Sequence, residues 1–193
     1  MREAILERVT KETQVNIRLN LDEAGEAKLR TGISFFDHML HLFAFRAGIT
    51  LEALCEGDLE IDGHHTVEDV GITLGQAIAK ALGDKAGIAR YGAAALPMDE
   101  ALARCVLDIS GRPYLVFRAD FPSERVGGFE TELVEEFFRA LTLHSGITLH
   151  LHLEYGSNTH HMIEAMFKAF GTAFQKAIAR TADTSIPSTK GVL

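Results

Sequence analysis

The chain has 193 residues, of which 47% are hydrophobic and 24% charged, with a formal net charge of −8. This length suits one domain with a core, the acidic balance disfavours nucleic-acid binding, and no apolar run of about 18 residues predicts a membrane span. The charged N-terminus lacks a secretion signal, and Cys55 and Cys105 form no CxxC pair or disulfide framework, so we predict a cytoplasmic protein.

The first half of the sequence predicts strands and two helices. Apolar and polar residues alternate over 14–21, and the turn-forming DEAG segment that follows predicts a hairpin whose second strand runs through Leu29. Residues 35–45 have helical spacing, and 49–61 resemble one or two strands. A longer helix is predicted from about His64 to the GDKAG segment.

The second half predicts a similar series. Residues 101–119 are strand-like and are interrupted by the turn SGRP. A helix is predicted at about 133–143, an amphipathic strand at 147–155 and a last helix from near His160. The tail, DTSIPSTKGVL, is polar and rich in turn-forming residues.

The two halves also share residues, which indicates an internal duplication. GITL occurs at 48–51 and again at 146–149, each time after a helix that contains an adjacent pair of phenylalanines. We therefore predict an α+β fold with one domain, 1–193, made of two pseudo-repeats (about 1–93 and 94–193). Each repeat is a small mixed sheet with two helices, and the helices pack together between the sheets. At an offset of 96, the long helices repeat His64, His65, Glu68, Gly75, Ala77 and Lys80 as His160, His161, Glu164, Gly171, Ala173 and Lys176.

Each long helix begins with the pattern His-His-x-x-Glu. The first histidine and the glutamate are four residues apart and share a helix face, so together they can bind one metal ion. The second histidine points about 100° away and can bind a second ion. Imidazole and carboxylate ligands without a thiolate suit Mn, Fe, Zn or Ni. The six candidate ligands are His64, His65, Glu68, His160, His161 and Glu164.

The shorter helices are expected to supply further metal ligands. The FFDHML segment contains His38, and the offset of 98 between the two GITL segments relates it to Glu136 in VEEFF. His38 and Glu136 are therefore matching candidates. The other histidines have no such support and are interpreted as solvated: His41, His144, His150 and His152.

Four long segments resemble the imidazoleglycerol-phosphate dehydratase family of histidine biosynthesis, and the resemblance covers essentially the whole chain. It implies conversion of imidazole glycerol phosphate to imidazole acetol phosphate with loss of water, two Mn(II) ions per active site, and a homo-oligomer of 24 subunits with shared active sites. The segments are DGHHTVEDVGITLGQA (62–77), MDEALARCVLDISGRPYL (98–115), SGITLHLHLEYGSNTHHMIEAMFKAFGTA (145–173) and IPSTKGVL (186–193).

The resemblance implies the same eight metal ligands. The family commonly has a histidine before the FF pair of the third helix, where this chain has Glu136. A carboxylate can still bind manganese. Our hypothesis assigns four ligands to each ion: His64, Glu68, Glu136 and His161 to one, and His160, Glu164, His38 and His65 to the other.

The resemblance also implies the residues that contact the substrate. Lys168 has independent support, because it lies one helical turn beyond Glu164. Asp99 is a candidate to orient a metal-binding histidine. Glu12, Glu68 and Glu164 are the candidates for proton transfer, and the sequence does not rank them. The expected substrate-binding residues are Glu12, His38, Arg90, Arg112, Lys168, Ser188 and Lys190.

The hydrogen that must be removed is not next to a carbonyl, so the imidazole ring has to accept electrons. An imidazolate between two Mn(II) ions allows this: loss of the hydroxyl gives a diazafulvene-like intermediate, and loss of a C–H proton then gives an enol and finally the ketone. One alternative is a dinuclear metal phosphoester hydrolase, which would release phosphate. Another is a metal-storage cage, which the strand-rich segments and the phosphate-type residues argue against.

Overall fold

The computed structural model describes all 193 residues, which form ten strands and four helices. None of the helices combines the length and the apolar character needed to cross a membrane. The first half contains β1 (Glu3–Val9), β2 (Thr13–Asn20), β3 (Lys28–Arg30), α1 (Ser34–Ala47), β4 (Thr50–Gly57) and α2 (His64–Leu82). The second half contains β5 (Tyr91–Met98), β6 (Ala101–Asp108), β7 (Tyr114–Arg118), β8 (Arg125–Val126), β9 (Phe129–Glu130), α3 (Leu133–Ser145), β10 (Thr148–Tyr155) and α4 (Thr159–Ile178).

The two halves build sheets with the same topology. The strand order is β1-β2-β4-β3 in the first sheet and β5-β6-β10-β7 in the second. In each sheet three strands are antiparallel and the last, β3 or β7, is parallel to its neighbour. The hairpin β8-β9 has no counterpart in the first half. The predicted α+β fold with duplicated halves is confirmed, and the second sheet begins at Tyr91.

The predicted hairpin between 14–21 and Leu29 is wrong. β2 pairs with β1, with Leu19 opposite Ala4, and β3 pairs in parallel with β4, with Leu29 opposite Ala53. The sequence does not predict β1 because its two faces differ little in polarity. The outward side chains include two glutamates, and the inward side chains are Ala4, Leu6 and Arg8. β5 is hidden for a related reason, since YGAAALPM is rich in residues that are depleted in strands.

The four helices lie between the two sheets, and their packing crosses the halves. α2 packs on the first sheet and contacts α3, whereas α4 packs on the second sheet and contacts α1. Phe43 of α1 stacks on Phe170 of α4 with ring centroids 4.9 Å apart, and Phe138 of α3 lies at 4.9 Å from Phe167 of α4. The buried apolar residues form one cluster of 46. Since the short helix of each half packs on the long helix of the other, the halves share one core.

Repeated glycines explain how these crossed helices fit. Gly75 of α2 and Gly171 of α4 allow close helix approach: an added Cβ would lie 2.6 Å from the Leu141 carbonyl oxygen and 2.8 Å from that of Phe43, respectively. The glycines of the two GITL segments, Gly48 and Gly146, end α1 and α3 with φ of 66° and 70°. This left-handed conformation favours glycine, so the sequence repeat reflects two equivalent helix ends.

Candidate active site

The first half-site consists of His64, Glu68 and Glu136. His64 and Glu68 lie in the first two turns of α2, and Glu136 comes from the facing α3 of the other half. Their ligand atoms all lie within 4.8 Å of one another, and all three residues are half-buried. Arg139, one turn after Glu136, donates to its carboxylate at 2.6 Å (Nη2) and 3.2 Å (Nε).

The second half-site consists of His38, His160 and Glu164, and it is the pseudo-equivalent of the first. Glu164 Oε2 lies 3.2 Å from His160 Nε2 and 3.4 Å from His38 Nε2. The other carboxylate oxygen pairs with Lys168. Burial raises the pKa of Glu164, but its hydrogen bonds to Lys168 and the two histidines outweigh burial and hold that pKa below its usual range. The carboxylate is therefore ionised and buried beside two imidazoles.

Both half-sites fit a divalent metal by the chemistry of their donors. Each brings imidazole nitrogen and carboxylate oxygen within one coordination sphere and contains no thiolate, which suits Mn, Fe, Zn or Ni. Each also takes a ligand from both halves of the chain. Three of the four hypothesised ligands of each ion thus lie together in one chain. The fourth ligand, His161 for one ion and His65 for the other, is not among them.

His65 and His161 face away from the half-sites of their own chain. His65 Nδ1 lies 3.0 Å from Asp58 Oδ2, and its Nε2 lies 3.7 Å from Glu12 Oε1. His161 Nδ1 lies 2.8 Å from Glu100 Oε2. The hydrogen bond to a carboxylate raises the pKa of each imidazole. Neither histidine therefore joins a half-site of its own chain.

The carboxylates that hold these two histidines were missed by sequence reasoning. Asp99 was the predicted orienting residue, but its carboxylate lies 3.9 Å from His161 Nδ1 and its side chain is 73% exposed. Its φ of 47° belongs to the turn between β5 and β6. Glu100 makes the shorter contact, and bonds from His161 and from the backbone N–H groups of Asn158 and Ser157 lower its pKa to about 2. No local motif identifies Glu100 or Asp58, because each lies outside a helix or strand and reaches its histidine only in the folded chain.

Most of the predicted phosphate-binding residues gather elsewhere, around Asp108 and the C-terminal tail. Arg90 Nε donates to Asp108 at 2.7 Å, and its Nη1 donates to the carbonyl of Pro187 at 2.8 Å, which fixes the tail next to Ser188. Arg112 is 67% exposed and lies 3.7 Å from Asp108. In the tail the backbone N–H of Lys190 bonds to Ser188 Oγ.

This tail region is distant from the half-sites of the same chain. The Arg90 backbone N–H bonds to the Ala177 carbonyl near the end of α4, whereas His160 lies at the start of that helix. At 1.5 Å per residue the separation is about 25 Å, too far for one small substrate to bridge. Lys168 is the exception, because it pairs with Glu164 of the second half-site. The predicted phosphate-binding residues thus form two groups in a single chain.

A cavity of about 820 Å³ adjoins the second half-site. It lies between the loop before α2, the start of α1 and the hairpin β8-β9, and its lining includes His160, Asp62 and Arg125. Phe129 of the hairpin packs on Phe35 with ring centroids 5.4 Å apart. Since β8-β9 occurs in the second half only, the surroundings of the two half-sites differ.

Comparison with known proteins identifies the family that this chain resembles. The family model for imidazoleglycerol-phosphate dehydratase matches residues 31–174. A relative of that name from Exiguobacterium sp. is 56% identical over 191 residues, 99% of this chain and 98% of its own length. Another from Acetivibrio thermocellus is 56% identical over 187 residues, 96% of either chain.

Solved structures resemble this one over nearly their whole length. Imidazoleglycerol-phosphate dehydratase from Staphylococcus aureus has a TM-score of 0.85 at 45% identity and covers 93% of this chain and 99% of its own. The enzyme from Pyrococcus furiosus has a TM-score of 0.84 at 35% identity and covers 97% and 100%. This chain therefore belongs to the imidazoleglycerol-phosphate dehydratase family and is a hydro-lyase.

Proposed function

We propose that this protein converts imidazole glycerol phosphate to imidazole acetol phosphate and water in histidine biosynthesis, with two Mn(II) ions in each active site. The observation that carries the proposal is the pair of half-sites related by the internal duplication, each with imidazole and carboxylate donors within 4.8 Å. Two pseudo-equivalent donor sets suit a substrate that offers two ligand atoms, and an imidazole ring has two nitrogens.

The ligand sets are completed between subunits in this proposal. One ion is held by the first half-site and by His161 of a second copy, the other by the second half-site and by His65 of a second copy. Two observations support shared sites: both histidines face away from their own half-sites, and the tail residues lie about 25 Å from His160 of the same chain. We propose the homo-oligomer of 24 subunits as the assembly that joins them, in the cytoplasm.

The metal ions, when bound, would stabilise negative charge on the substrate ring. The hydroxyl leaves from the carbon next to the ring, giving a diazafulvene-like intermediate, and a proton leaves from the next carbon; together these form water and an enol. The enol then takes up a proton at the carbon next to the ring, loses its hydroxyl proton and becomes the ketone.

Glu12 is the best-placed proton acceptor of the three candidates. Its side chain is 53% exposed in the turn between β1 and β2, and it lies 3.7 Å from His65 Nε2. Glu164 is committed to two imidazoles and Lys168, and Glu68 belongs to the first half-site. A free carboxylate beside a ligand histidine can accept the C–H proton without leaving a metal ion.

Phosphate recognition uses both groups of substrate residues, from different subunits. Lys168 is the cation next to a half-site. The donors at the tail are Ser188, Lys190 and Arg112, which also contacts Asp108. Arg90 is already bonded to Asp108 and Pro187, so we assign it chiefly to holding the tail in place. A guanidinium, an ammonium and a hydroxyl supply the charge-assisted hydrogen bonds that a phosphate monoester requires.

Turnover of imidazole glycerol phosphate by metal-stripped and Mn-loaded protein tests the proposal. We expect the acetol product only with metal, and no inorganic phosphate. Release of phosphate would favour the phosphoester hydrolase instead. Turnover by metal-free protein would overturn the role of the half-sites.

A further inference from the structure

The two pseudo-equivalent histidines His65 and His161 are held by carboxylates from different parts of the fold. Asp58, directly after β4, bonds to His65 Nδ1 at 3.0 Å. Glu100, in the turn between β5 and β6, bonds to His161 Nδ1 at 2.8 Å. The same ring nitrogen is engaged in both cases, although the duplication does not relate the two carboxylates to each other.

Alignment of the two halves shows how this difference arises. β2 begins at Thr13 and β6 at Ala101, so the residue in the turn that corresponds to Glu100 is Glu12. β4 ends at Gly57 and β10 at Tyr155, and by the offset of 98 Asp58 corresponds to Gly156. The first half therefore has a carboxylate at both positions, whereas the second half has only Glu100.

We propose that Asp58 and Glu100 are positioning residues that each hold a metal-binding histidine by Nδ1, and that Asp58 thereby leaves Glu12 free for the substrate. This inference rests on the proposed function. A carboxylate accepts the Nδ1–H, so the lone pair of the neutral ring is at Nε2, the nitrogen that then binds the metal ion. Glu12 lies on the Nε2 side of His65, not on the side that Asp58 occupies.

Both positioning residues are themselves held by backbone hydrogen bonds. Glu100 Oε1 accepts the N–H groups of Asn158 at 2.7 Å and Ser157 at 3.1 Å, directly before α4. The Asp58 N–H donates to the Glu12 carbonyl at 3.1 Å, which ties the loop before α2 to the turn between β1 and β2. Each histidine is thus oriented relative to its own helix start before a second subunit arrives.

Mn(II) binding to the stripped full-length protein, followed by electron paramagnetic resonance, tests the positioning role. We expect Asp58→Ala and Glu100→Ala each to weaken binding of one of the two ions about 10- to 100-fold, the range typical for lost outer partners of a ligand. Asp58→Asn and Glu100→Gln keep an acceptor oxygen and should recover most of the affinity. Glu60→Ala, an exposed carboxylate in the same loop as Asp58, is the matched control and should bind as the unsubstituted protein does.

The pair Glu12 and Glu100 tests the division of roles. Glu12→Ala should lower kcat and keep both Mn(II) affinities within about twofold, whereas Glu100→Ala should lower affinity. Equal Mn(II) affinity for Glu100→Ala and the unsubstituted protein, with unchanged circular dichroism and melting temperature, would overturn the inference and leave the dehydratase proposal standing. If the unsubstituted protein binds no Mn(II), both fail.

Discussion

The two half-sites occupy equivalent positions in the two repeats but differ in their ligands. The second offers two imidazoles and one carboxylate, while the first offers one imidazole and two carboxylates. The carboxylate of the second is buried and paired with Lys168, and Glu136 of the first is paired with Arg139. The duplication therefore preserved the positions of the candidate ligands but not their charge. We expect equivalent substitutions in the two half-sites to have unequal effects on metal binding.

The largest effects are expected from loss of an imidazole from either half-site. His160→Ala removes one of two rings that contact Glu164 and should reduce kcat/KM by more than about 100-fold, beyond the 10- to 100-fold typical of outer partners of a ligand. The pseudo-equivalent His64→Ala leaves its half-site with no imidazole and should lose bound Mn(II) more completely. Metal content per subunit distinguishes the two variants. Equal loss of metal from both would contradict the proposed difference between the half-sites.

The crossed packing of the helices predicts a large effect on stability. Phe170 contacts Phe43 of the other half and Phe138 of its own half, so Phe170→Ala should lower the free energy of unfolding by about 3–5 kcal/mol. Urea denaturation measures this change. Because the halves share one core, a single transition should persist; two separate transitions would show that the halves unfold independently.

A smaller effect is expected from the glycines at the helix crossings. An added Cβ is too close to a carbonyl oxygen at Gly75 and at Gly171, so alanine at either position should cost about 1–3 kcal/mol by overpacking. The melting temperatures of the two variants should fall by similar amounts. Gly128 has no atom within 4 Å of an added Cβ and provides the control, Gly128→Ala.

A histidine at position 136, as the family resemblance implies, should narrow the difference in imidazole number between the half-sites. Glu136→His gives the first half-site a second imidazole and removes the partner of Arg139, so Mn(II) affinity should stay the same or rise. Isothermal titration with Mn(II) measures it. Severe loss of binding and activity would show that Glu136 is required, and Glu135→Gln tests whether the adjacent carboxylate takes its place.

The smallest effect is expected at an exposed histidine outside both half-sites. His150 lies on the outer face of the second sheet, and His150→Gln should change stability by no more than about 0.5 kcal/mol and leave kcat/KM unaltered. Size-exclusion chromatography of the variant measures its oligomeric state. Loss of assembly would show that this sheet face contacts another subunit.

Sequence reading succeeded where the pattern was local or repeated. The periodicity of β2, β10, α2 and α4 was sufficient to identify them, and the doubled His-His-x-x-Glu led to the residues that form the half-sites. It failed for β1 and β5, whose side chains carry little contrast between faces. It also could not identify Asp58, because that carboxylate reaches His65 only after β4 and α2 have packed.

The crossed helix packing also has a consequence for biosynthesis of the chain. α1 ends at Ala47 but packs on α4, which begins at Thr159. At ribosomal rates of about 5–20 residues per second, the apolar face of α1 is without its partner for roughly 5 to 25 seconds. Burial of this face of α1 is therefore delayed until nearly the whole chain has been made, and in the meantime its apolar surface is open to chaperones.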